Sequence, residues 1–159
     1  MTGLIKKPGW VAIIIPGFLA GIIIWAFIWA GDNYLILSGT RADRFFIAAF
    51  FISPVILAGA GALAEIIRSR GGSDPWTPLI PYAAGFLGAF TAISIMLLVT
   101  GVDQYLPYNP PGSKAGLSWA VGHLIFCLPI VLPVSAVFGI CSLIGGGLVH
   151  VVREDKKAP

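Results

Sequence analysis

Two histidines and two cysteines could carry most of the chemistry in this chain. His123, His150, Cys127 and Cys141 all lie within residues 117–152, where no Lys, Arg, Asp or Glu occurs. Imidazole and thiolate groups are the usual protein ligands of haem and zinc. A site shared by these four side chains is therefore the first hypothesis to test.

The spacing of these residues argues against a shared site. In one continuous helix His123 and His150 are roughly 40 Å apart at 1.5 Å per residue, more than the roughly 30 Å hydrocarbon core of a bilayer. Cys127 and Cys141 are about 20 Å apart by the same measure. Two histidines of one chain cannot hold one haem at that distance, so His123 is only a weak haem candidate that needs a histidine from another chain. We predict no metal site and no bound cofactor beyond lipid contacts.

Other signatures of chemistry are not found in the sequence. It has no glycine-rich phosphate loop, no Cys-x-x-Cys pair, no His-Glu-x-x-His motif and no serine nucleophile elbow. The net charge of +3 comes from basic residues scattered at the ends of apolar runs, which is unlike a nucleic-acid patch. We expect a protein that is not catalytic on its own and does not bind nucleic acid.

The composition predicts a membrane protein. The chain is 57% apolar and 11% charged with a mean hydropathy of +0.91, whereas soluble domains carry roughly 25% charged residues. Four apolar runs are long enough to span a bilayer. We predict an all-α integral membrane protein, a four-transmembrane-helix bundle that forms a single membrane domain over residues 1–159. The predicted spans are residues 10–31, 42–67, 78–101 and 119–152.

The distribution of basic residues predicts the orientation. Seven Lys and Arg lie in the N-terminus, the second loop and the C-terminal tail, and three lie in the other two loops, predicted at 31–44 and 102–118. Because cytoplasmic loops carry the excess of Lys and Arg, both termini should be cytoplasmic. Trp25 and Trp29 should stack near the outer end of the first span.

The two halves of the chain resemble each other weakly. Acid, amide, Tyr and Leu follow the first span from Asp32 and, with the same order, the third span from Asp103, while Glu65 and His150 hold equivalent places near the ends of the second and fourth spans. The bundle would then consist of two parallel helical-hairpin repeats related by an axis along the membrane normal. Convergent interface chemistry explains the match as well as duplication does.

The repeat would gather polar residues at both faces. At the outer face the cluster would comprise Asp32, Asn33, Tyr34, Asp103, Gln104 and Tyr105. Helix capping and headgroup anchoring are the simpler role for these side chains. At the inner face Glu65 and His150 would be counterparts. Glu65 is expected to be solvated or paired with Arg in preference to acting as a proton site.

Small residues and prolines predict where the helices touch. The small residues that would let backbones approach closely are Gly17, Gly21, Gly59, Gly61, Gly85 and Gly88. Pro129 and Pro133 should kink the fourth span and free carbonyls that need partners inside protein, so the kinked face should pack against another helix. His123 should face the same buried seam and donate to a backbone carbonyl or to Asp103 or Tyr105.

These observations favour a small accessory or structural subunit of a larger membrane complex, with other integral membrane subunits or itself as partners. The first alternative is a small oligomeric channel or transporter for a weakly polar solute. Hydroxyl groups are the only polar side chains deep in the spans, which disfavours ion coupling. The second alternative is a haem-binding membrane subunit that uses His123.

Overall fold

Four helices account for nearly all of the described chain. The computed structural model describes the backbone of residues 9–38, 42–70, 77–105 and 115–156, and the side chains of residues 10–31, 51–70, 77–99 and 118–156. The helices are α1 (Gly9–Ser38), α2 (Ala42–Arg70), α3 (Leu79–Tyr105) and α4 (Ala115–Asp155), and no strand occurs within the described ranges. The predicted all-α, four-helix fold is confirmed.

Each helix is long and apolar enough to cross a membrane. The candidate spans are Trp10–Gly31, Phe51–Arg70, Leu79–Val99 and Ser118–Asp155. By length and composition the protein is therefore a multi-pass membrane protein. Trp25 and Trp29 stack with their ring centroids 6.3 Å apart, which confirms the predicted pair near the end of the first span.

The helices are longer than the sequence predicted. Asp32, Asn33 and Tyr34 belong to α1, and Asp103 to Tyr105 belong to α3, so the expected loops at 31–44 and 102–118 are too long by several residues at each end. Polar residues beyond the hydrocarbon do not stop a helix, because adding a residue to an existing helix is far easier than starting one. Residues 39–41 and 106–114 lie outside the described chain.

The helices alternate in direction and pack as a four-membered bundle. Helix α1 contacts α2 and α3, α4 contacts the same two helices, and α2 and α3 also contact each other. The start of α1 and the end of α4 lie at one end of the bundle, called here the termini end, and the opposite end is called the far end. A two-fold axis relating the halves would make α1 and α4 as close as α2 and α3. In the described chain α1 and α4 touch least, so the repeat stays a prediction.

Helices α2 and α4 pack so closely that their backbones are in contact. A Cβ added at Gly61 would overlap the carbonyl of Ser142, and one at Gly145 would overlap the carbonyl of Ala58. These two glycines face each other's helix at a crossing where only a missing side chain permits the approach. The crossing holds α2 and α4 in register along their last turns.

Glycines also allow α3 to pack closely against α1 and α4. A Cβ at Gly17 would lie 2.9 Å from the carbonyl oxygen of Ala84, and one at Gly21 would lie 2.8 Å from that of Gly88. On the other side of α3, a Cβ at Gly85 would overlap the Ser142 side chain. Helix α3 is therefore clamped between α1 and α4 by small residues.

Gly59 does not belong to these seams. It is exposed, and a Cβ there would meet nothing within 4 Å, so its assignment to helix packing is corrected. The run Ala58-Gly59-Ala60-Gly61-Ala62 offers small residues on every side of the helix. Gly61 and Ala58 face α4, and Gly59 lies two positions from Gly61, about 200° away around the helix.

The prolines of α4 lie on the opposite side from the one predicted. Pro129 and Pro133 are exposed, whereas Val131 and Ser135 are buried. The kinked face therefore does not pack against another helix of the chain. Small residues decide the packed face of α4 because they permit close backbone approach, and the prolines stand about 200° from Val131 and Ser135.

Candidate functional site

A buried ion pair lies near the termini end of α2. Glu65 is 1% exposed, and Arg68 of the next turn donates to both of its carboxylate oxygens, from Nε to Oε2 at 2.8 Å and from Nη2 to Oε1 at 2.6 Å. This two-bond fork is the strong form of an arginine–carboxylate pair. From the sequence we expected Glu65 to be either solvated or paired with Arg, and the structure shows the pairing.

His150 joins this pair from α4. Its Nδ1 lies 3.7 Å from Oε1 of Glu65, and its side chain is 29% exposed. The distance is longer than a hydrogen bond and short enough for electrostatic attraction when the ring is protonated. The structure thus brings together Glu65 and His150, which the sequence predicted as counterparts in a repeat, through the close contact of α2 with α4.

The local sequence explains why this cluster forms. Three residues separate Glu65 from Arg68, which places both on one face of α2. The crossing of Gly61 with Ser142 one turn deeper holds α4 close enough for His150 to reach the carboxylate. Removing Glu65 from water costs several kcal/mol in the interior of a protein, and the arginine fork and the imidazole offset part of that cost.

The chemistry that this cluster can perform is to hold a buried carboxylate against basic side chains inside the bundle. Both oxygens of Glu65 are engaged by Arg68, so the carboxylate is charge-compensated. The described part of the chain contains no group of three or more His, Cys, Asp or Glu that could hold a metal ion. The cluster therefore ties one end of α2 to α4.

His123 occupies a separate place toward the far end of α4. Its ring stacks on Trp119, with centroids 5.5 Å apart and planes 7° from parallel, and its Nε2 lies 3.9 Å from Sγ of Cys127. These three residues follow one another at intervals of four along a single helix face. The predicted donation to Asp103 or Tyr105 concerns side chains outside those described. The continuous α4 keeps His123 roughly 40 Å from His150.

The predicted outer-face cluster can be placed only by its backbone. Asp32 to Tyr34 lie near the end of α1, and Asp103 to Tyr105 end α3. Helices α1 and α3 pack against each other and run in the same direction, so the two groups lie at the same end of the bundle. Their side chains are outside the described part of the structure.

Three buried hydroxyls lie within the bundle; the sequence predicted Ser94 and Ser135 at depth in the spans and did not single out Ser142. Ser94, Ser135 and Ser142 are buried, and their Oγ atoms have no hydrogen-bond partner. Ser135 and Ser142 are seven positions apart, two turns along the packed face of α4. In the sequence, this spacing and Gly139 between the two serines were the signal that could have predicted the packed face of α4.

Comparison with known proteins adds no relative to this description. No family model matches the chain, and neither a curated protein nor a solved structure matches it.

Proposed function

We propose that the protein is a non-catalytic integral-membrane subunit that braces a larger membrane complex. One observation carries the proposal: the only buried carboxylate among the described side chains is bound by Arg68 of its own helix and faces His150 of the next. Ionisable groups within a membrane protein usually mark a pathway or a proton relay. In this protein the ionisable groups of Glu65, Arg68 and His150 interact with one another and hold α2 against α4.

The packing of the helices supports the same function. The seams on both sides of α3 and between α2 and α4 are filled to backbone contact by small residues. Meanwhile α1 and α4 present exposed apolar side chains along their lengths, including Phe18, Ile23, Ile130 and Val137. A filled interior with wide apolar outer faces suits a protein that acts through its surface.

Native electrophoresis of gently solubilised membranes tests this function. We expect the protein to co-migrate with larger, unrelated membrane subunits and to leave that band when the Arg68 pair is broken by Arg68→Ala. Arg70→Ala, which removes an exposed charge two positions away, is the matched control and should stay in the band. Migration of the wild-type protein alone in every detergent would overturn the proposal.

The second candidate is a small oligomeric channel or transporter for a weakly polar solute. It is favoured by the three buried hydroxyls of Ser94, Ser135 and Ser142, which have no partner and could exchange hydrogen bonds with such a solute. A homo-oligomer that makes liposomes permeable to a solute such as glycerol, with the flux changed by Ser135→Ala, would support it over the first candidate.

We also propose that both termini are cytoplasmic. Seven Lys and Arg lie on the side of the bundle that holds the termini and three lie on the opposite side. Cytoplasmic segments carry the excess of Lys and Arg. In that orientation the Glu65 cluster lies near the cytoplasmic surface and His123 near the opposite one.

A further inference from the structure

A histidine and a cysteine face each other along one side of α4. Nε2 of His123 lies 3.9 Å from Sγ of Cys127, one turn further along the helix. Both side chains are half-buried, so a small ion can reach them from the surface of the bundle. The proposed function makes no use of this pair. Imidazole nitrogen and thiolate sulfur are both metal ligands, which makes the gap between the two atoms a place to look for an ion.

Trp119 holds the imidazole of this pair in position. Its indole stacks on the ring of His123, with centroids 5.5 Å apart and planes 7° from parallel. Stacking restricts rotation of the imidazole, so Nε2 stays directed along the helix toward the sulfur. Neighbouring groups that fix the orientation of a ligand ring raise its affinity for a metal, because less freedom is lost when the ion binds.

The distance between the two ligand atoms suits a bound ion. An ion about 2.3 Å from sulfur and about 2.0 Å from nitrogen holds these atoms about 3.5 Å apart at a tetrahedral angle and about 4.3 Å apart on a straight line. The separation of 3.9 Å between Nε2 of His123 and Sγ of Cys127 lies between these limits. It corresponds to an angle of about 130° at the ion for the same bond lengths. Both side chains therefore bind one ion without a change of conformation.

The ligand set favours a soft monovalent ion. Thiolate sulfur selects soft ions such as Cu⁺, whereas Mg²⁺ and Ca²⁺ take oxygen ligands. Zinc sites in proteins use three or four protein ligands, and the described residues include no group of three or more His, Cys, Asp or Glu. Cu⁺ and its heavier analogue Ag⁺ bind firmly through two ligands at a wide angle. His123 and Cys127 supply two ligands in that arrangement.

The same geometry favours a bare ion over haem at His123. An iron bound at Nε2 would lie between the histidine and Cys127, which are one turn apart on the same helix. The macrocycle is perpendicular to the bond between iron and nitrogen, so its plane would cut through α4 between the two residues. A bare ion has no such plane and fits between the two atoms.

We propose that His123 and Cys127 form a binding site for Cu⁺ on α4. The thiolate sulfur and the neutral imidazole nitrogen each form one bond to the ion, and the thiol proton passes to solvent. The expectation of no metal site rested on the distance between His123 and His150, and this pair does not involve His150. The site goes beyond the proposed function, because the chain carries both ligands whether or not it joins a larger complex.

Silver titration of the purified full-length protein in dodecyl maltoside tests the site, because Ag⁺ resembles Cu⁺ and does not change oxidation state. The chain offers a matched control: Cys141 is also half-buried on α4, and Val137 stands one turn before it in place of a histidine. Ag⁺ should bind at least tenfold more tightly to Cys141→Ser, which keeps the pair, than to Cys127→Ser, which keeps Cys141. Adding His123→Leu to Cys141→Ser should abolish this difference.

Nitrogen NMR of the histidine-labelled wild-type protein gives a second readout that needs no substitution. The chain has two histidines, so His150 serves as an internal control. One equivalent of Ag⁺ should shift the Nε2 signal of His123 and leave both ring signals of His150 unchanged. Equal silver affinity of Cys141→Ser and Cys127→Ser, an unchanged Nε2 signal of His123, or tighter binding of Zn²⁺ than of Ag⁺ by Cys141→Ser would overturn the proposal.

Discussion

Oε1 of Glu65 in α2 lies 3.7 Å from Nδ1 of His150 in α4, 85 positions later in the chain. The residues that precede them, Leu63-Ala64 and Leu148-Val149, and those that follow, Ile66-Ile67-Arg68 and Val151-Val152-Arg153, match in type. Similar segments that run in the same direction at the same height thus meet at their polar positions. The pair joins two helices that the chain connects only through α3.

The Glu65–Arg68 pair should respond unequally to loss of its two partners. Arg68→Ala leaves a carboxylate buried with His150 alone, and breaking a buried pair in this way costs about 3–5 kcal/mol. Glu65→Gln leaves an arginine in the last turn of α2, whose long side chain can turn toward the membrane surface. We expect Glu65→Gln to cost about 1 kcal/mol.

Equilibrium unfolding in mixed micelles of dodecyl sulfate and dodecyl maltoside would measure both free energies. Arg70→Ala serves as the control, because Arg70 is exposed two positions after Arg68, and it should change the free energy of unfolding by less than about 0.5 kcal/mol. A larger loss for Glu65→Gln than for Arg68→Ala would contradict the burial of the carboxylate.

The sequence was sufficient for the helices, which depend on local patterns, and it predicted pairing with Arg as one of two expected states of Glu65, the other being solvation. Apolar runs of span length predict membrane helices directly, and Arg68 lies one turn from Glu65 on the same helix face. The matched segments predicted only that Glu65 and His150 are equivalent residues at the same face, and the structure adds that they lie in contact. The geometry of this contact depends on how closely α2 and α4 approach, which the Gly61 and Gly145 crossing decides.

The sequence was not sufficient for the orientation of helix faces. Gly59 and Gly61 have the same neighbours in the sequence, yet only Gly61 faces α4. In α4 the loss of backbone donors at Pro129 and Pro133 suggested a buried face, while the small residues at Ser135 and Ser142 pointed to the opposite one. Close packing favoured the small residues, because a proline ring keeps a neighbouring helix further away than serine does.

The two glycines of α2 provide a matched test of that packing. Gly61→Ala places a Cβ on the carbonyl of Ser142, so the backbones of α2 and α4 must separate, and overpacking of this kind costs about 1–3 kcal/mol. Gly59→Ala adds a methyl group in open space and should raise stability by up to about 1 kcal/mol through helix propensity. Thermal unfolding in dodecyl maltoside would compare them. Equal effects would show that Gly61 is not at a helix crossing.

The prolines allow a similar comparison between a buried and an exposed position. Pro81 is buried in the first turn of α3, and its ring packs at the position of Gly146, so Pro81→Ala should leave a void and cost about 1–2 kcal/mol. Pro129→Ala removes an exposed ring and restores a helix donor, so it should leave stability unchanged or raise it. Unfolding in mixed micelles measures both. A greater loss for Pro129→Ala would mean that its face is packed in the membrane.

The orientation of the chain can be read from labelling of single cysteines. In protein with Cys127→Ser and Cys141→Ser, a membrane-impermeant maleimide added outside intact cells should react with Ser113→Cys and not with Ser73→Cys. The expected reason is the charge distribution: Arg68 and Arg70 precede Ser73 on the basic side, and Lys114 is the only basic residue in the loop with Ser113. Permeabilised cells supply the control, since both variants should then react. Labelling of Ser73→Cys but not Ser113→Cys in intact cells would invert the bundle and place the Glu65 cluster at the outer surface.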